Sequence, residues 1–141
     1  MATKGAQGLA ALDGFERWWE EHSDLDHLVA ALEESLSGGR IAVSRRAVEE
    51  LAGALETHFD LEERVYFPLV ERFSPEHCTR VRAARVAHAQ VSETLQSLCD
   101  LIERGETLKA CRVLAVLLDR FRTHEIEDAR LIADLERGRV S

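Results

Sequence analysis

Apolar residues step by three and four along most of the chain, the spacing that marks one face of an α-helix. The first stripe is Phe15, Trp18, His22, Leu25, Val29, Leu32 and Leu36. It predicts a helix from a cap at Asp13 to about Leu36, ended by Gly38 and Gly39. The second stripe is Val48, Leu51, Leu55, His58, Glu62, Val65, Leu69 and Phe73, with Ser44 as the expected N-cap. Pro68 falls inside it and, lacking an N–H, should kink or loosen the last turns. Ser74-Pro75 reads as cap and first residue of a third helix, with the stripe Val81, Ala84, His88, Val91, Leu95, Leu98 and Ile102, closed by Gly105. Thr107 opens a fourth, with Leu114, Leu117, Phe121, His124, Asp128, Leu131 and Leu135, ended by Gly138. No sustained alternation of the β type occurs. Four long helices with short connections predict an all-α, antiparallel up-down-up-down four-helix bundle in a single domain.

The seams are not wholly apolar. Each carries a histidine near its middle: His22, His58, His88 and His124. Two add a carboxylate four residues on, Glu62 and Asp128. Residues equidistant from the turn of an antiparallel hairpin lie at one height. Positions 22 and 60 are centred on 41, positions 60 and 88 on 74, and positions 88 and 126 on 107, and each centre falls in a predicted turn. The six polar residues therefore share one layer. A lone histidine on an apolar face is usually a core residue satisfied by a neighbour. Four at one height with two carboxylates form a different pattern, because leaving such groups buried and unpaired costs several kcal/mol. A metal centre answers that cost. His27, about 140° around the helix from His22, and His77, in the first turn of the third helix, are expected at the surface. Tyr66 is expected in the core, with a hydrogen bond to a ligand or a place among the ligands as alternatives, and Glu63 and Glu125 in solvent or beside a ligand, with direct contact to the metal as the alternative for each. Trp18, Trp19, Phe59 and Phe121 are expected to pack around the layer and keep it dry.

Composition narrows the partners. The chain has 141 residues, a length suited to one core, with 31% charged and 45% hydrophobic residues. Its net charge of −8 argues against nucleic acid and anionic membrane as partners. The cluster Arg80, Arg82, Arg85 reads as a solvated helix face. No run approaches the roughly 20 apolar residues of a membrane span, and the first residues lack the apolar core of a signal peptide, so a cytoplasmic location is expected. Three widely spaced cysteines, Cys78, Cys99 and Cys111, support neither a disulfide framework nor a zinc ribbon.

Four imidazoles and two carboxylates are too many ligands for one tetrahedral zinc. Clustered thiolates for an iron–sulfur centre are missing. Mixed nitrogen and oxygen donors suit non-haem iron or manganese, and two carboxylates at this height can bridge two ions.

The residues Glu20-Glu21-His22-Ser23-Asp24-Leu25, His58-x-x-x-Glu62-Glu63 leading to Phe67-Pro68, His88, and His124-x-x-x-Asp128 together resemble the hemerythrin-like, HHE cation-binding family, over roughly residues 13–136. The resemblance implies a non-haem di-iron centre, oxo- or hydroxo-bridged, with ligands His22, His58, Glu62, His88, His124 and Asp128. It also implies a division into a flexible tail, residues 1–8, and a hemerythrin-like bundle domain, residues 9–141. Two positions depart from the oxygen-carrying hemerythrins. Ala84 stands where they have a second third-helix histidine, and Ala129 where they have the fourth-helix aspartate, the carboxylate here being Asp128.

The expected function is binding of a small ligand, O2, peroxide or NO, at the two irons, in keeping with oxygen binding or oxidative stress. The alternatives are a catalase- or peroxidase-like di-iron enzyme acting on hydrogen peroxide, which the open position at Ala84 favours, and iron storage or delivery under nitrosative or oxidative stress. A sensing role would call for a protein partner or a homo-oligomer.

Overall fold

The computed structural model describes residues 3–140, with side chains from 20 to 137. Helix α1 spans Thr3–Ser37 and α2 spans Ile41–Leu61. A π-helical turn, Glu62–Tyr66, joins α2 to α3, Phe67–Phe73. A 3₁₀ turn, Pro75–His77, leads into α4, Cys78–Glu103, and α5 spans Thr107–Val140. With α2, the π turn and α3 read as one rod, four antiparallel rods form a bundle, and the described residues contain no strand. The side chains of Phe15, Trp18 and Trp19 lie outside the described residues. No helix is long and apolar enough to cross a membrane among the described residues.

The turns follow the glycines. Gly39 and Gly105 have φ of 68° and 74°, a left-handed conformation that costs glycine nothing. At the first, the Gly39 N–H bonds the Leu36 carbonyl and the Arg40 N–H bonds the Ser35 carbonyl. At the second, Gly105 bonds Ile102 and Glu106 bonds Leu101. Both are Schellman closures, which satisfy the last carbonyls of a helix. Several expected boundaries move. Helix α1 begins at Thr3, ten residues before Asp13, and α5 continues through Gly138 to Val140. Ser44 does not cap α2, which begins at Ile41. Its fully buried hydroxyl instead lies 2.8 Å from the Arg40 carbonyl and 2.9 Å from the Ser35 hydroxyl, tying the end of α1 to the start of α2.

The second rod departs from its sequence pattern after Glu62. Val65 and Phe73, placed in the seam by their spacing, are 41% and 54% exposed, while Tyr66, Phe67 and Val70 are buried. Pro68 has no N–H for the Arg64 carbonyl, and the turn before it is widened: the Phe67 N–H reaches the Glu62 carbonyl, five residues back. A π turn adds one residue to the helix and rotates everything beyond it. The buried face therefore moves from 65, 69 and 73 to 66, 67 and 70.

The other stripes are buried largely as read. One apolar cluster includes Leu32, Leu51, Leu98 and Leu117, all close to fully buried. A second gathers Tyr66, Phe67, Val70, Val81, Ala84, Leu131, Ile132 and Leu135. Each fully buried aliphatic side chain contributes about 1.5–3 kcal/mol relative to exposure. The histidine layer lies between the two clusters along the bundle. Cys99 and Cys111 are half-buried against the first, and all three cysteines are free. The arginine cluster is more than a solvated face. Arg80 donates to Asp134 Oδ2 at 3.0 Å, joining α4 to α5, and Arg85 donates to Glu71 Oε1 at 3.3 Å, joining α4 to α3.

Candidate metal centre

Four rods each deliver side chains to one layer. His22 comes from α1, His58 from α2, Glu62 from the first position of the π turn, His88 from α4, and His124 and Asp128 from successive turns of α5. The structure brings all six expected residues together. His22 Nε2 is 3.0 Å from His58 Nε2. His58 Nε2 is 3.1 Å from Glu62 Oε1. The same oxygen is 3.5 Å from His88 Nε2 and 4.0 Å from His124 Nε2. Asp128 Oδ2 is 2.7 Å from His124 Nε2 and 3.8 Å from His88 Nε2. One donor atom from each of Glu62, His88, His124 and Asp128 falls within a common 4.8 Å, and all four residues are buried.

These approaches are not a finished hydrogen-bond network. Among the described residues, Nε2 of His88, Nε2 of His124 and both carboxylate oxygens of Glu62 and of Asp128 are buried without a hydrogen bond. Glu62 is 0% and Asp128 1% exposed. Buried carboxylates left this way cost several kcal/mol each, and a bound cation would offset that cost at a cluster that could hold one. Donor atoms of four residues within 4.8 Å of one another are close enough to hold one ion.

The electrostatics without a cation are correspondingly strained. Burial pushes the Asp128 carboxyl up, and the adjoining Glu62 carboxyl adds to this, to about 6. Burial works on Glu62 in the same direction, but contact with Asp128, His58 and His88 outweighs it and holds Glu62 well below the usual carboxylate range. Burial favours a neutral His88, yet Asp128 and Glu62 outweigh it and raise the ring to about 9. His58 is raised in the same way by Glu62 and Glu21. His22, desolvated and beside His58, is lowered to about 4. Protons thus occupy the positive role that a metal ion would take.

A surrounding shell fixes the rings, and much of it was not legible in the spacing. His58 Nδ1 is 3.1 Å from Glu21 Oε2, and His88 Nδ1 is 3.0 Å from Glu63 Oε1. A carboxylate that accepts from Nδ1 leaves Nε2 free to bind a metal and orients the ring. Glu21 could have been found only as a carboxylate one step, about 100°, around α1 from His22, on the side facing α2. The His88 ring also stacks on Phe59, 4.0 Å between centroids, and lies near-parallel to Phe67 at 5.3 Å. Glu125 is out of open solvent and lies beside His22. Its Oε1 is buried, without a hydrogen bond among the described residues, 3.9 Å from His22 Nε2. Burial, with Asp26 nearby, raises its carboxyl to about 7. Tyr66 is a core residue, as expected. His27 is exposed and bonds the Ser23 carbonyl, and half-buried His77 lies by Asp134, both away from the layer.

Residues 13–137 match the family model of the hemerythrin HHE cation-binding domain. The chain belongs to the hemerythrin HHE cation-binding family. No curated protein and no solved structure matches it. Membership agrees with the donor set: a cation-binding domain is one whose buried His, Glu and Asp side chains find their counter-charge in a bound ion. In this hemerythrin-type bundle, a groove of about 390 Å³ between α4 and α5 reaches the layer. Ala83, Ala84, Ala87 and His124 help line it. The small side chain at Ala84 leaves room in this groove beside His124.

Proposed function

We propose that this chain is a non-haem di-iron protein that binds a small ligand, O2, peroxide or NO, at a carboxylate-bridged metal pair. The observation that carries the reading is the position of Glu62. Its Oε1 stands between two histidine pairs, 3.1 Å from His58 on one side and 3.5 Å from His88 on the other. A carboxylate so placed could be shared by two ions. His22 and His58 would hold one, His88 and His124 the other, with Asp128 as the second bridging carboxylate. Four imidazoles and two carboxylates are more than one tetrahedral zinc takes, and mixed nitrogen and oxygen donors suit non-haem iron or manganese. Two ferrous ions would supply two electrons to a bound ligand. The chain's own part is to hold six donors in place, to exclude water through the apolar clusters on both sides of the layer, and to admit only small molecules.

The enzyme reading, peroxide turnover at the same centre, is favoured by one feature. The groove between α4 and α5 is lined by Ala84 and His124, so an ion held by His88 and His124 would have a path to solvent and no nitrogen donor from position 84.

Metal content and an optical spectrum, as purified and after reduction and exposure to air, test the proposal. About two irons per chain with near-ultraviolet oxo-to-iron bands are expected. A persistent new visible band on air exposure favours ligand binding, and oxygen evolved from added peroxide favours the enzyme. No iron, or one zinc per chain, overturns the di-iron reading.

A further inference from the structure

We propose that Glu125 is itself a metal ligand and closes the half of the centre built from His22 and His58. The inference rests on the two-metal reading above and adds a residue to it. The two halves are unequal without it. His88, His124, Asp128 and Glu62 serve the half between α4 and α5. The half between α1 and α2 has only His22 and His58 besides the shared Glu62.

Glu125 is placed to correct this. It follows His124 by one residue, so it points about 100° further around α5, toward α1 instead of α4. Its Oε1 is buried and without a hydrogen bond among the described residues, and it lies 3.9 Å from His22 Nε2. Two atoms at that separation could both reach one ion with bonds of about 2.1 Å. His22 Nε2 is in turn 3.0 Å from His58 Nε2, the spacing of neighbouring ligands. The carboxylate also has an alternative that it does not take. A groove lined by Asp26, Ala30, Glu33, Arg122 and Glu125 opens beside it, yet Oε1 faces inward among other acids. Carboxylate oxygen added to two imidazoles gives a hard, mixed donor set suited to iron or manganese.

The simpler role for Glu125 is to orient His22 through a hydrogen bond. Glu125→Gln separates the two, because glutamine keeps the size and hydrogen-bonding reach but is a poor ligand. Chelated full-length wild type and E125Q are titrated anaerobically with Mn(II) and with Co(II), by calorimetry and by the visible cobalt bands. Circular dichroism and melting establish that both are folded. Wild type is expected to take two ions, and E125Q to take the first normally and the second roughly tenfold or more weakly, with altered bands for the second cobalt. If E125Q takes two ions with wild-type affinities and bands, Glu125 is not a ligand and the inference falls while the two-metal reading stands. A wild type that takes fewer than two ions overturns both. Should E125Q melt before it can be titrated, E125D serves instead. Its shorter reach must weaken the second step, and an unchanged second step again overturns the inference.

Discussion

The Phe67 N–H bonds the carbonyl of Glu62, five residues back, and not that of Glu63. This one wide turn leaves Tyr66 and Phe67 buried side by side and Val65 exposed, and it stands just before Pro68, which offers no N–H to Arg64. Pro68→Ala should let the rod relax toward a regular helix. The metal-free protein is expected to gain up to about 3 kcal/mol, the cost of proline in a helix interior, while metal affinity falls because the residues around Glu62 turn. Melting of the chelated protein and a metal titration check this. A variant with unchanged affinity would show that the π turn does not depend on Pro68.

Glu62 has no exposure and no hydrogen bond among the described residues. Glu62→Gln should abolish uptake of at least one metal. The chelated variant should also melt below chelated wild type, because the contacts with Asp128, His58 and His88 that hold the Glu62 carboxyl below its usual range stabilise the metal-free fold. Removing one partner of a buried pair costs about 3–5 kcal/mol, at roughly 2–4 °C per kcal/mol for a chain of this size. Scanning calorimetry of both chelated proteins gives the sign, and a higher melting point for the variant contradicts the account.

Metal uptake should release protons. Burial favours a neutral His88, but Asp128 and Glu62 keep its proton to about pH 9. Its folded pKa is above the unfolded value of 6.5, so this group stabilises the metal-free fold fully below about pH 6.5, and the contribution disappears as pH rises through 9. A metal needs the neutral ring. Affinity is therefore expected to rise with pH from 7 to 9, by roughly tenfold per unit for one proton. Below about pH 6, Asp128 adds a second competing proton. Titrations across pH 5–9 measure the slope, and an affinity that is flat between 7 and 9 rules out the His88 proton.

Ala84 is 5% exposed and lines the groove that reaches the layer. On the proposed di-iron centre, Ala84→His should add a nitrogen donor on the His88 side. Peroxide consumption is expected to slow, and any oxygen-bound species to persist longer, at unchanged iron content. Stopped-flow absorbance and oxygen evolution measure both, and turnover that is unchanged or faster would place the open position elsewhere.

How much of this was written in the chain can be argued residue by residue. The four seams, their antiparallel order and the meeting of His22, His58, Glu62, His88, His124 and Asp128 followed from the period of a helix and the positions of Gly39, Pro75 and Gly105. These are local quantities: rise per residue, turns and burial preference repeat wherever they occur, so counting along the sequence is enough to fix height in the bundle. Rotation about the helix axis is not local in that sense. The register shift after Glu62 moved Val65 and Phe73 into solvent, because one proline acts on a carbonyl four residues back, and spacing alone does not show which way the rod turns to answer it. The partners Glu21, Glu63 and Glu125 stand about 100° from a histidine on their own helix or, for Glu63, beside Glu62, positions that a stripe reads as solvent. Only the packing of a neighbouring rod turned them inward, since whether such a carboxylate meets water or an imidazole depends on where the next helix axis lies.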